Sequence, residues 1–251
     1  MSALYQVIAK QELVRKLSSL LTPSRNSVAD PILGRPPATV LQWNTFTRKH
    51  GQLVESILTK TIQSQSGWSA LPQRRFQCDR GDVKKLIDRA AIHKHNQVAI
   101  FIECKRDLGK SDSGATRRIN EYFEWVEREQ RNIARELGMN PSEALIRFVV
   151  FNSYGVRSDG RRIPGIPHLL PDDLDAIFGP SVQNAFIELD RLTRSICEEF
   201  FIPDTVTPPP WSAKLGPGEV ASESQRNTVE TPEEFRNRLK KNIDRLVKTQ
   251  R

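Results

Sequence analysis

Apolar residues recur along this chain in two periods, and the switches between them divide it into elements. In residues 3–21, Leu4, Val7, Ile8, Val14, Leu17 and Leu21 fall at helical spacing with Lys and Arg between them, which predicts an amphipathic helix. From Val40 to Gln63, Leu41, Phe46, Leu53, Val54, Ile57, Leu58 and Ile62 predict a second helix, with Asn44–Thr47 as the place where it would break. The period then shortens. Residues 68–78 predict a strand entering a sheet, and 86–92 and 98–105, rich in Ile, Val, Phe and Leu, predict a β-hairpin. Its connection, His93-Lys94-His95-Asn96-Gln97, is polar throughout and is expected to be solvated. Alternation along the second strand sets Val98, Ile100 and Ile102 on one face and Ala99, Phe101, Glu103 and Lys105 on the other.

Helical spacing returns at 115–137, where Ile119, Phe123, Val126, Ile133 and Leu137 form one stripe and Gly138 stands as the residue after the helix end. An apolar strand follows at 145–151, so the helix becomes a crossover on a mixed sheet. Residues 172–201 carry Leu174, Ile177, Phe178, Val182, Phe186, Leu189, Leu192 and Ile196 and predict one further long helix. Thr231-Pro232-Glu233-Glu234 combines an N-cap, a proline at the first helical position and a glutamate at the third, and opens a last amphipathic helix with Phe235, Leu239, Ile243, Leu246 and Val247. Proline-containing polar runs separate these parts. The reading is an N-terminal helix and linker over 1–37, a core over 38–203, a linker over 204–230 and a C-terminal helix over 231–251.

Composition narrows the function more than the fold. With 37% apolar and 27% charged residues the chain reads as a soluble globular protein, and no run approaches the ~18 apolar residues that span a bilayer. A membrane role is therefore not expected, and without a signal-like N-terminus the expected location is the cytoplasm. The 38 Lys and Arg against 30 Asp and Glu give a net charge of +8, which favours a polyanionic partner, with nucleic acid first. Cys78, Cys104 and Cys197 are too few and too scattered for a disulfide framework or a zinc site. His93 and His95 lack a carboxylate or thiol partner at ligand spacing and are read as turn residues.

The chemistry concentrates at the end of the predicted hairpin. A carboxylate and an ammonium, Glu103 and Lys105, finish an apolar strand on one face, where each is costly to bury unless paired or bound to a cation. Asp88 on the partner strand offers a second carboxylate, and Asp82 is a competing one closer to a turn. Oxygen donors of this kind suit a hard divalent cation. Asp88 followed by Glu103-Cys104-Lys105 resembles the PD-(D/E)XK signature of the restriction-endonuclease-like nucleases, with Ile87 where the family name has proline.

That resemblance implies an α/β restriction-endonuclease-like core, a central mixed β-sheet flanked by helices, with N- and C-terminal helical extensions. It implies Mg²⁺ held by Asp88, Glu103 and the backbone carbonyl of Cys104, with Lys105 orienting or helping to deprotonate the attacking water. Gly51-Gln52-Leu53-Val54-Glu55 matches a helix of that family whose glutamate reaches the site; the alternative for Glu55 is a solvated side chain or a partner for Lys60. The implied activity is a DNA endonuclease, of restriction type first and of repair, junction-resolving or transposon-end type otherwise, acting on double-stranded DNA, with a homodimer as the usual assembly. A DNA-binding protein without catalysis is the reading from another class. Candidate DNA contacts are Arg74, Arg75, Arg106, Lys110, Arg117 and Arg118, and, in the polar loop from Asn152 to Pro167, Arg157, Arg161 and Arg162.

Overall fold

The computed structural model describes residues 2–21, 38–72, 74–78, 81–105, 113–154, 163–200 and 230–248. Five strands form a mixed sheet in the order β1 (Ser69–Leu71), β4 (Arg89–His93), β5 (Val98–Lys105), β6 (Leu145–Asn152), β7 (His168–Leu169), while β2 (Arg74–Cys78) and β3 (Gly81–Ile87) form a separate antiparallel pair. β4 runs antiparallel to β1 and β5, and β6 runs parallel to β5 and β7. The protein is thus α/β, with helices on both faces of a five-stranded mixed sheet. Helix α3 (Ser113–Glu136) is the crossover between β5 and β6 that parallel pairing requires. Gly138, at φ +67°, ends that turn, and the Met139 N–H closes it by donating to the Ala134 carbonyl.

The central strand β5 has a core on each side. Val98, Ile100 and Ile102 pack among α2 (Ala38–Gln63), α1 (Ser2–Leu21) and the C-terminal helices. Ala99 and Phe101 pack with Phe76, Trp125, Val126 and Phe148 under α3. The alternation expected from the sequence is therefore the alternation observed, because a strand buried on both faces must carry apolar residues in both phases.

Four local expectations are corrected. Helix α2 runs unbroken through Asn44–Thr47. The strand expected over 68–78 is two strands in two different sheets. The helix expected over 172–201 is a 3-10 turn, a short α4 (Leu174–Phe178) and α5 (Gln183–Phe200), interrupted where Gly179 adopts φ +121° ahead of Pro180. Asp175 stabilises that interruption by accepting hydrogen bonds from the Ser181 and Gln183 N–H groups at 2.9 and 2.8 Å. Finally, the turn after β4 is not wholly solvated: His93 and Asn96 are buried, His93 packing edge-on against Trp68 and against Phe235, and burial with the neighbouring His95 charge pushes its pKa down. The two-residue β7 was not expected from the sequence.

Both terminal helices dock on the α2 side of the sheet. On α6 (Pro232–Lys248), Leu239, Ile243 and Leu246 join the same core as α2 and β5, and Asn242 donates to the Ala176 carbonyl at 3.0 Å. Helix α1 sends Tyr5, Ala9 and Leu13 into that core. It also buries Glu12, which accepts hydrogen bonds from Arg15 (2.7 Å), Ser56 (2.6 Å) and Lys60 (2.5 Å). Burial raises the Glu12 pKa, but these three donors outweigh it and hold the carboxyl at about 2. Among the described residues no helix is long and apolar enough to cross a membrane. The linker stretches 22–37 and 204–229 lie outside the described residues.

Candidate active site

The residues singled out by the sequence meet where the two sheets part. Strand β3 pairs with β2 and stops at Ile87; β4 joins the large sheet at Arg89; Asp88 is the bend between them. The register that pairs Arg89 with Ile102 sets the next residue, Asp88, across from Glu103. Its Oδ2 accepts the Cys104 N–H at 3.3 Å. On β5, Lys105 Nζ donates to Glu103 Oε1 at 2.6 Å. Asp88, Glu103 and Lys105 are thus brought together at the C-terminal end of β5. The expectation that 86–92 is one strand of a hairpin is corrected, since its first residues belong to the other sheet. Asp82 lies in β3, further along that pair.

Glu55 approaches from the opposite face. On α2 it pairs with Arg89 at 2.9 Å, and Arg89, registered with Ile102, is on the α2 side of the sheet. Lys60, the other partner considered for Glu55, pairs with Glu12 instead. Burial first, and then the charge of Asp88, raise the Glu55 pKa, so Glu55 is within electrostatic reach of Asp88 across the sheet edge.

The site carries more negative charge than its surroundings can solvate. Burial and the adjacent Asp88 push Glu103 up to about 7, with Lys105 offsetting part of the shift. The Cys104 thiol packs on the α2-side core, away from the face that carries Glu103 and Lys105, and is pushed well up by burial and by the neighbouring carboxylates. Among the described residues no group of three or more His, Cys, Asp or Glu side chains is set to hold a metal ion. What the strands offer is two carboxylates and the Cys104 backbone carbonyl, an all-oxygen donor set of the kind a hard cation takes.

Two participants were missed in the sequence. Arg89 balances Glu55 and adjoins Asp88; its signal was an arginine opening an otherwise apolar strand. Tyr122 on α3 has its phenol pushed up by burial and by the charges of Glu103 and Asp88, which places it within reach of the same carboxylates. Its signal was its place beside the apolar stripe of α3. Arg117 and Arg118 are exposed on the first turns of α3, and Arg117 pairs with Glu121 at 3.5 Å. Arg74 and Arg75 lie on β2, registered with Ile87 and Leu86. Arg106, Lys110, Arg157, Arg161 and Arg162 lie outside the described residues.

No family model matches the chain, and no curated protein matches it. Among solved structures the chain is similar to that of protein VC1899 from Vibrio cholerae, at 14% identity and a TM-score of 0.32, over 77% of this chain and 50% of that one. The chain thus spans half the length of that protein.

Proposed function

We propose that this protein is a divalent-cation-dependent endonuclease on a restriction-endonuclease-like core, hydrolysing phosphodiester bonds in double-stranded DNA. The observation that supports it is the meeting of Asp88, Glu103 and Lys105 at one end of β5, two carboxylates and an ammonium where a sheet edge turns away. Asp88, Glu103 and the Cys104 carbonyl are the residues that would hold Mg²⁺. They fit it chemically: a carboxylate held up at about 7 by burial and a second carboxylate has an excess of negative charge that a cation settles as well as a proton does. When bound, the cation supplies Lewis-acid polarisation of the phosphate and lowers the pKa of water. Lys105 contributes positive charge beside the phosphate as charge builds in the transition state, and orients the attacking water. Glu55, held by Arg89, stands on the far side of Asp88.

The net charge of +8 supports a polyanionic substrate, and Arg117 and Arg118 supply exposed cations on α3. Incubating methylated and unmethylated phage DNA with Mg²⁺ or Mn²⁺ tests the activity and separates a restriction enzyme, which spares one of them, from a repair, junction-resolving or transposon-end nuclease. Sedimentation with and without a cut-site duplex tests the homodimer. A second reading has its own support: Glu103 pairs with Lys105 and Glu55 with Arg89, so these carboxylates are balanced within the chain, as a DNA-binding protein without catalysis would have them. Tight DNA binding with no cleavage in either metal would favour it.

A further inference from the structure

Asp88 is paired in neither of the strand ladders it joins, so side chains hold it where a ladder would otherwise do so. Its own Oδ2 reaches the Cys104 N–H on one side. On the other, its backbone carbonyl accepts a hydrogen bond from Arg89 Nη1 at 2.5 Å. The second terminal nitrogen of the same guanidinium, Nη2, pairs with Glu55 Oε2 at 2.9 Å. A continuous line of contacts therefore runs from α2 through Glu55 and Arg89 to the bend, and from the bend to β5. Its far end is firm, because Leu53, Val54, Ile57 and Leu58 on either side of Glu55 are all buried in the core.

Neutralising Glu55 does not by itself call for an arginine. A lysine would do so with a compact ammonium, whereas a planar fork is needed when one group must hold two acceptors in fixed directions. The Arg89 side chain is mostly buried, and its Nε is buried with no hydrogen-bond partner among the described residues. An unmatched buried donor is costly, and charge balance alone gives no reason to keep it. The guanidinium sits where its two terminal nitrogens require.

We infer that Arg89 is a positioning residue: anchored by Glu55, its guanidinium fixes the bend at Asp88 and with it the direction of the Asp88 carboxyl at the end of β5. Glu55 then acts on the site through Arg89. The bend is a matter of geometry; that it aligns a cation ligand rests on the nuclease reading above.

Hydrogen exchange on the ¹⁵N-labelled protein reads the bend at the Cys104 amide. In Arg89→Lys, which keeps the charge and loses the fork, that amide should exchange about tenfold faster than in the wild type, while the Ile100 and Ile102 amides, further back on the strand, keep their protection. Unchanged exchange at Cys104 would overturn the inference, and so would an equal loss along β5, which marks a general loss of stability. Glu55→Gln keeps an oxygen acceptor for Nη2 and should leave Cys104 protected, where Glu55→Ala should match Arg89→Lys; equal loss in both Glu55 variants would overturn the anchoring role.

Calorimetry with Mg²⁺ offers a test by sign. Removing a positive charge beside carboxylates should on charge alone tighten cation binding. If Arg89 aligns Asp88, Arg89→Met should instead weaken it by about tenfold, as loss of a partner that orients a ligand does. Equal or tighter binding would overturn the alignment of a cation ligand. If the wild type binds no Mg²⁺ and cuts no DNA, the nuclease reading fails, and exchange at Cys104 alone decides whether Arg89 fixes the bend.

Discussion

Asp88 Oδ2 accepts the backbone N–H of Cys104 at 3.3 Å, so the residue at which the chain leaves one sheet for another is pinned to the strand that carries Glu103 and Lys105. One oxygen of Asp88 is thus used structurally, and the Asp88 carboxyl also shares a side-chain hydrogen bond with Glu103. Asp88→Asn keeps an acceptor for Cys104 and removes the charge. We predict that it preserves the fold, as judged by its circular dichroism and melting curve, and abolishes Mg²⁺-dependent cleavage. Cleavage at the wild-type rate would transfer the role to Asp82 or end the proposal.

Glu103 gives the site a pH dependence of definite sign. Its pKa in the folded protein, about 7, is above its ordinary value of 4.5, so the folded state holds a proton there that the unfolded chain releases. Stability should fall as pH rises from about 4.5 to 7, and Glu103→Gln should be more stable than wild type above that window, by roughly 1–3 kcal/mol, with little difference below it. Denaturant melts across pH check this. Protons and cations compete for the same oxygens, so Mg²⁺ affinity by calorimetry should climb through pH 7 in the wild type.

Lys105 is asked to act in the transition state. Lys105→Ala should lower the cleavage rate by about 10²–10³-fold with little loss of DNA binding. Lys105→Arg should not restore it, because a planar guanidinium cannot take the place of a compact ammonium 2.6 Å from Glu103. Single-turnover rates on one labelled duplex separate these outcomes, and full activity in the arginine variant would show that charge alone suffices.

Glu12 has the opposite sign to Glu103. Its pKa is depressed to about 2, so its contribution is present above about pH 4.5 and is lost as pH falls toward 2. Glu12→Gln should cost about 1–2 kcal/mol at pH 7, discounted for the solvent exposure of Arg15 and Lys60, and almost nothing near pH 2. A urea titration at several pH values measures the difference.

The sequence showed the parts of this fold whose causes are local. Strand β5 was legible because a strand buried on both faces is apolar in both phases, and Glu103 and Lys105 stood out against it. The end of α3 was legible from Gly138. The break at Asp88 was not, because Ile87 before it and Ala90 after it pack into the same core, and the apolar pattern runs on through a change of sheet. Arg89 was missed as the partner of Glu55 because that pairing joins a helix to a strand through tertiary contact. His93 looked like a turn residue for the same reason: Trp68 and Phe235, which bury it, come from distant parts of the chain. The Gly179-Pro180 interruption was readable, and the apolar spacing on either side of it masked it.

The docking of α6 also bears on how the protein is made. Leu239, Ile243 and Leu246 complete the core that α2 and β5 begin, and Arg236 reaches back to the Asn96 carbonyl in the β4–β5 turn at 3.3 Å. During synthesis that part of the core waits for a helix that begins at Pro232, well after His168–Leu169, the strand it packs against. A chain ended before α6 therefore leaves uncovered the apolar side chains of α4 and β7 on which Leu239, Ile243 and Leu246 settle, surface of the kind that favours aggregation.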